Sequence, residues 1–257
     1  MRMEKQHHID LLPGDVGEIV FLPGDINRAA VIAGHFDDAK LVAHKRQYIT
    51  YTGTYQGIKV SVTATGIGGP AVAIAVEELI KVGARNFIRI GTGGSLQKWL
   101  PIPSLIVGTA AVRGDGTSRE YFPLEYPAVA DFFTVEAMLH AAQKRKVDVY
   151  PGIIRGHDAF YAESIFADVD YLKLDRPWID AGVLITSNES STLFPLAMAR
   201  GCRAGSILCA VDCHQRPGLE ASAQAIDESI SNAIDIALDA AVEIYQMEHQ
   251  NTKVKVV

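Results

Sequence analysis

The sequence predicts an α/β fold: one domain built on a mixed central β-sheet flanked by helices. Three observations carry this reading. Runs of strand length recur between segments with helical spacing, the pattern of an α/β domain. No linker of proline, serine or charge runs divides the 257 residues. The composition, 48% hydrophobic and 21% charged, suits one large core.

Residues 18–22, with the apolar run Ile19-Val20-Phe21-Leu22, read as the first strand. Residues 47–55 and 59–64 read as a hairpin turning at Gln56-Gly57. A helix is predicted over 70–82: Pro70 opens it, Ile74, Leu79 and Val82 lie near one face, and Gly83 ends it. Residues 86–90 and 104–112 are predicted strands, and 130–144 a second long helix. Strands at 147–154 and 183–186 flank a stretch with no clear periodicity, followed by a short helix over 190–200. The apolar run 203–211 reads as a fully buried strand. In 219–246, Ile226, Ile230, Ala233, Ala237, Ala241 and Ile244 form one apolar stripe, so an amphipathic helix is expected. The domain is expected to span 1–250, with 251–257 a disordered tail.

Composition narrows the partners. The net charge of −6 argues against a general nucleic-acid or anionic-membrane binder, so any anion site must be local. The three cysteines, Cys202, Cys209 and Cys213, are odd in number and clustered, unlike a disulfide framework. Met1 to Asp10 is polar, and no apolar run reaches the ~20 residues that cross a bilayer. A cytoplasmic protein is expected.

Two glycine-arginine motifs follow predicted strands: Pro23-Gly24-Asp25-Ile26-Asn27-Arg28 and Arg89-Ile90-Gly91-Thr92-Gly93-Gly94. Each is expected to be a loop. Glycine lets backbone N–H groups approach a ligand, and arginine adds a forked donor matched to phosphate oxygens. A third glycine segment, Thr65-Gly66-Ile67-Gly68-Gly69-Pro70, leads into a predicted helix N-terminus. Convergence of the three predicts an oxyanion site, with phosphate the expected anion. A dinucleotide fingerprint is excluded because Leu96 stands where the third glycine belongs and the following Pro101-Ile102-Pro103 cannot open a helix. There is no Gly-Lys-Ser/Thr and no Gly-x-Ser-x-Gly. Cys209-x-x-x-Cys213-His214 lacks usual zinc spacing and a second ligand pair, so the cysteines read as buried strand residues.

These motifs, together with Ala75-Val76-Glu77-Glu78-Leu79, resemble the nucleoside phosphorylase-I family. Pro123-Leu124-Glu125-Tyr126-Pro127-Ala128-Val129-Ala130-Asp131-Phe132 is a further match, closest to that family's uridine phosphorylase branch. The resemblance runs from about His8 to the last helix. It implies a phosphorylase/hydrolase-like fold and a homo-oligomer: a ring of dimers, usually a hexamer. It also implies a pentosyltransferase that cleaves a ribosyl or deoxyribosyl nucleoside with inorganic phosphate as co-substrate and no cofactor.

Carried over by position, Gly24, Arg28, Arg89 and Thr92 would bind phosphate, with Arg46 reaching in from a neighbouring subunit. Arg46 reads equally as a solvated strand end. Glu189 would accept from ribose hydroxyls, with Asn188 beside it where the family has methionine; Glu189 also reads as a helix N-terminal acid. His8 would reach the sugar across a subunit interface. Gly94 and Phe160 would face the base. The glutamine and arginine that read uracil in the uridine branch correspond to Ser164 and Phe166 here, which leaves the base open. Asp212 resembles the aspartate that purine-cleaving members use near the base, a catalytic acid alongside Arg89. Where the uridine branch has an arginine one position later, this chain has Cys213. Asp212 reads alternatively as a turn aspartate before Pro217-Gly218. Some uridine phosphorylases hold a monovalent cation through a glutamate where this chain has Gln47, so no metal is expected. A nucleosidase and a non-catalytic nucleoside-binding protein remain as rival readings.

Overall fold

In the computed structural model, which describes residues 4–161 and 171–250, strands and helices alternate. The first apolar run is β1 (Ile19–Pro23), buried throughout. Asp25 then caps α1 (Ile26–Ala33), its side chain accepting from the Asn27 N–H at 2.8 Å. The antiparallel strands β2 (Asp37–Lys45), β3 (Tyr48–Tyr55) and β4 (Ile58–Thr63) follow as a meander. The β3–β4 turn falls on Gln56 and Gly57, with φ of 50° and 79°, the positive values that a two-residue hairpin turn requires. Next come α2 (Gly69–Lys81), β5 (Asn86–Ser95), β6 (Ser104–Arg113), α3 (Gly116–Tyr121), α4 (Phe132–Arg145) and β7 (Val149–Gly156). The chain ends with α5 (Tyr171–Asp180), β8 (Ile185–Thr186), α6 (Ser190–Ala199), β9 (Arg203–Cys213) and α7 (Ala223–Gln250).

Among the described residues, nine strands form one mixed sheet in the order β2-β3-β4-β1-β5-β8-β7-β6-β9, and β5 also pairs with β9. That extra pairing closes β5, β8, β7, β6 and β9 into a ring. β4, β1, β5 and β9 run parallel, so their C-terminal ends lie along one edge. Alternation along the strands sends Phe21 and Ile88 to one face, against Ile234 and Leu238 of α7. Leu22 and Phe87 go to the other face, against Val76 and Leu79 of α2 and Phe194 of α6. Each of these fully buried side chains contributes about 1.5–3 kcal/mol.

The expected α/β architecture with a mixed sheet is observed, and two expectations need correction. The segment Gly91-Thr92-Gly93-Gly94 is not a loop. It continues β5, with Gly91 opposite Leu208 and Thr92 opposite Cys209 of β9. The buried apolar strand β9 supplies ladder partners that the glycine count conceals. The second correction is α7, which begins at Ala223 because Glu220 is held in a bridge to Asp212. Four elements carry no sequence prediction: α1, β2, α3 and α5. α3 is six residues long, and β2 is exposed along its first five residues, so neither has a readable apolar period. Residues 251–257 lie outside the described residues.

Arg113, at the end of β6, clasps the segment that follows it. Its guanidinium donates to the carbonyls of Pro123, Tyr126, Ser118 and Phe122 and to Ser118 Oγ. Arg113→Met would leave these buried acceptors unsatisfied. A loss of about 2–4 kcal/mol in unfolding free energy is expected from urea titration.

Candidate active site

The shared C-terminal edge of the parallel strands is where open α/β sheets place ligands, and the glycine motifs gather there. The segment after β4 folds onto the segment after β1: Thr65 N–H donates to Pro23 O at 2.9 Å and Gly66 N–H to Gly24 O at 3.1 Å. Gly24 suits this approach, since a Cβ there would stand a tight 3.2 Å from Gly66 O and 3.9 Å from Arg89 Nη2. Gly68, with φ of 97°, turns its N–H inward.

Two guanidiniums meet at this point. Arg28, on α1, donates through Nη1 to Ile90 O at 3.4 Å. Burial pushes Arg28 down from the usual arginine range; Asp25 opposes this, and the positive charge of Arg89 adds to it. Arg89, on β5, is only 5% exposed. Its Nη2 pairs with Glu189 Oε2. Its Nε and Nη1 are buried without a hydrogen-bond partner among the described residues. Buried cationic donors without acceptors cost more than the ~1–3 kcal/mol of an ordinary unmade bond. An anion placed beside these donors would relieve that cost. Thr92 lies three positions along the same strand, half-buried.

Glu189 is 3% exposed and occupies the N-cap position of α6, yet its side chain makes no capping bond. Oε1 accepts from Gly68 N–H at 2.8 Å, and Ser187 Oγ donates to Oε2 at 3.2 Å. Glu189 thus stands at the helix N-terminus as expected, while its carboxylate turns toward Arg89. Asn188 donates through Nδ2 to His157 O at 2.5 Å, tying the start of α6 to the segment after β7. Phe160 is on that segment, 59% exposed, with its ring edge-on to Tyr161.

At the end of β5, Gly94 stands opposite Asp212 in register. A Cβ on Gly94 would lie 2.3 Å from His214 Nε2 and 2.6 Å from Asp212 Oδ1. Asp212 is thus a strand residue facing the glycine segment, not a turn residue. Its Oδ1 is buried without a hydrogen-bond partner, and burial pushes its carboxyl upward, with His214 opposing.

Two expected residues lie elsewhere in the chain. His8 pairs through Nδ1 with Glu78 Oε1 at 2.7 Å. Glu78 is ten residues along α2 from Gly68, about 15 Å at helical rise. Arg46 is exposed in the β2–β3 turn with φ of 56°. Neither bonds to Arg28, Arg89 or Glu189 among the described residues. Ser164 and Phe166 lie outside the described residues.

Sequence reasoning missed His214, Asp175 and Arg155. His214 Nδ1 sits 2.6 Å from Asp175 Oδ2, and Asp175 Oδ1 is paired with Arg155. The only sequence signal was His214 itself, weighed solely as part of a zinc pattern. The cysteines of that pattern diverge: Cys209 Sγ faces Ser229 Oγ at 3.2 Å, and Cys213 Sγ faces Gln97 O at 3.9 Å. Among the described residues, one group has metal-ligand geometry, the exposed Glu18, Glu248 and His249. It lies at the opposite end of β1 from Gly24.

At this edge the glycine segments surround the buried Arg89 and the half-buried Arg28. Residues 18–243 match the phosphorylase superfamily, and the chain belongs to that family. It is 40% identical over 241 residues to a uridine phosphorylase of Treponema pallidum, covering 91% of this chain and 92% of the relative. It is 38% identical over 249 residues to a guanosine phosphorylase of Halorubrum lacusprofundi, covering 94% and 100%. A crystal structure of uridine phosphorylase from Vibrio fischeri superposes with a TM-score of 0.83 at 32% identity, covering 93% of this chain and 97% of that one. No helix among the described residues is long and apolar enough to cross a membrane.

Glu189→Ala would leave Arg89 buried without its one anionic partner. A destabilisation of about 3–5 kcal/mol is expected by chemical denaturation. Inorganic phosphate should reverse part of it by supplying the missing charge.

Proposed function

We propose that the chain is a nucleoside phosphorylase of the uridine-cleaving kind, a pentosyltransferase that releases a free base and pentose 1-phosphate. The observation that carries this is Arg89: Nη2 engages Glu189, while buried Nε and Nη1 await an acceptor beside Arg28. Inorganic phosphate, the co-substrate, fits this set through Gly24, Arg28, Arg89 and Thr92. Its oxygen attacks C1′ as the N-glycosidic bond breaks. The bonding electrons go to the base, and the proton shed by phosphate ends on the base. No cofactor enters.

The sugar becomes cationic in the transition state, and phosphate and Glu189 face it with negative charge. Glu189 has acceptor capacity left for ribose hydroxyls, because a carboxylate offers about four lone-pair sites. Asn188 and Phe160 flank the sugar and base; the base contacts expected of Ser164 and Phe166 fall outside the described residues. His8 and Arg46 act on the site of a neighbouring chain in a dimer-based ring, a hexamer, in the cytoplasm. Lys45 approaches Asp10 at 3.9 Å, so the segment bearing His8 and the hairpin bearing Arg46 are neighbours, and neither side chain bonds to Arg28, Arg89 or Glu189 of its own chain among the described residues. A second reading, a purine nucleoside such as guanosine, is favoured by the unpartnered Asp212 Oδ1, placed to act on the base. A nucleosidase or a passive binder would have no use for the buried Arg89 beside the half-buried Arg28.

Base release from uridine, thymidine, inosine, guanosine and adenosine should require phosphate. Arg89→Met should lower kcat/KM at least about 10²-fold. Equal rates with and without phosphate would overturn the reading.

A further inference from the structure

Glu189 stands at the start of α6 without capping it, and the anchor of that first turn comes from elsewhere in the chain. Asp115, between β6 and α3, is fully buried. It caps α3 through Oδ1, which accepts from Ser118 N–H at 2.6 Å, and Ser118 Oγ donates to Oδ2 at 2.8 Å. The same Oδ1 accepts from Thr192 Oγ1 at 2.8 Å, 77 residues away. Burial alone would raise this carboxyl, yet the donors around it outweigh burial and hold it below the usual carboxylate range. It is therefore an ionised acid at neutral pH, held out of solvent.

Thr192 is the third residue of α6 and is itself buried. Its N–H donates to Glu189 O at 3.1 Å, so the hydroxyl that Asp115 holds belongs to the turn that carries Glu189. The start of α2 packs on the same point: a Cβ on Gly69 would stand 2.7 Å from Thr117 Oγ1 and 2.8 Å from Thr192 Oγ1. One residue earlier, Gly68 N–H donates to Glu189 Oε1. The beginnings of α2, α3 and α6 are thus locked together around two buried acids, Asp115 and Glu189. A side chain at an N-cap ordinarily accepts from an N–H two or three residues on. With the first turn of α6 held from outside, the Glu189 carboxylate is left to Arg89 and Gly68.

We propose that Asp115 is a positioning residue for the sugar: through the Thr192 hydroxyl it fixes the first turn of α6, and with it the direction in which Glu189 faces the ribose hydroxyls. This rests on the phosphorylase reading and extends its sugar site to a residue that acts only through α6. Hydrogen bonds to sugar hydroxyls are directional, and a displacement of about 1 Å in a positioned group can cost about 10²-fold in rate. Thr192→Val removes the link alone. Valine keeps the shape of threonine, and Asp115 Oδ1 keeps its bond from Ser118 N–H, so no buried charge is orphaned.

The test is a double-mutant cycle between Thr192→Val and Glu189→Gln, with Thr192→Ser and Asp115→Ser beside them. Phosphorolysis of uridine and inosine is followed, and binding of ribose 1-phosphate is measured by calorimetry. A cooperative urea transition shows each variant to be folded. Thr192→Val should lower kcat/KM for the nucleoside about tenfold and weaken ribose 1-phosphate binding to a similar extent. Thr192→Ser, which keeps the hydroxyl, should restore both to within about twofold of wild type. On a Glu189→Gln background Thr192→Val should cost no more than about twofold, because the carboxylate through which it acts is gone. Asp115→Ser keeps an N-cap for α3 but is too short to hold Ser118 and Thr192 together. It should follow the pattern of Thr192→Val, and it carries the test if that variant does not fold. Wild-type turnover and ribose 1-phosphate affinity in Thr192→Val would overturn the inference and leave the phosphorylase reading intact. An equal loss on both backgrounds would also overturn it, since the hydroxyl would then be a general structural prop. If base release needs no phosphate, the phosphorylase reading fails; the inference then stands if uridine or inosine binding shows the same dependence on Glu189, and falls if it does not.

Discussion

The structure depends on one buried charge. Arg89 sits on the central strand β5 with its guanidinium almost wholly withdrawn from water, and only one of its nitrogens is paired with an acid. A cation in that state is tolerable only if the surroundings are arranged for an anion. The surroundings are so arranged. Glu189 reaches back from the start of α6, Gly68 anchors that carboxylate, and Gly24 leaves room at the guanidinium's edge. Arg28, pressed in from α1, adds repulsion that a bound anion would relieve.

Close backbone approach is the second constraint. The glycines of β5 are strand residues with neighbours where a side chain would be: Thr186 O at 2.1 Å from the Cβ position of Gly93, and Leu208 Cδ2 at 2.9 Å from that of Gly91. They let β5, β8 and β9 pack around a single edge, with a register shift between Gly93 and Gly94 that brings Asp212 into line. The same edge thus serves two chemistries. In the proposed reaction the anion would lie toward Arg89 and Gly24 and the base toward Gly94, with Glu189 facing the sugar between them. This division matches a reaction in which one group attacks a carbon as another leaves it.

Much of the fold was legible because core positions follow the period of their element. The buried runs of β1 and β9, the Gln56-Gly57 turn, and the stripe of α7 each obey one local rule. Elements without such a rule were not legible: α5 has Pro177 inside it, and β2 shows mostly exposed residues. The site was half legible. Gly24, Arg28 and Arg89 announce an oxyanion by residue type alone, whereas Glu189 reads locally as a helix-terminal acid and becomes a partner of Arg89 only in three dimensions. Arg155, Asp175 and His214 leave no joint trace, since they lie on a strand, a helix and the extension of another strand.

By itself, the sequence determined the α/β class with its mixed sheet, and it singled out Gly24, Arg28 and Arg89 as residue types suited to an oxyanion. These follow from apolar periodicity and from the fit of glycine and arginine to phosphate, both local properties of the chain. The tertiary structure alone decided that the second glycine motif is a strand, that Glu189 faces Arg89, and that Asp212 and His214 share the space over Gly94. Those facts depend on strand register and on contacts between residues far apart in the chain, which no local pattern encodes.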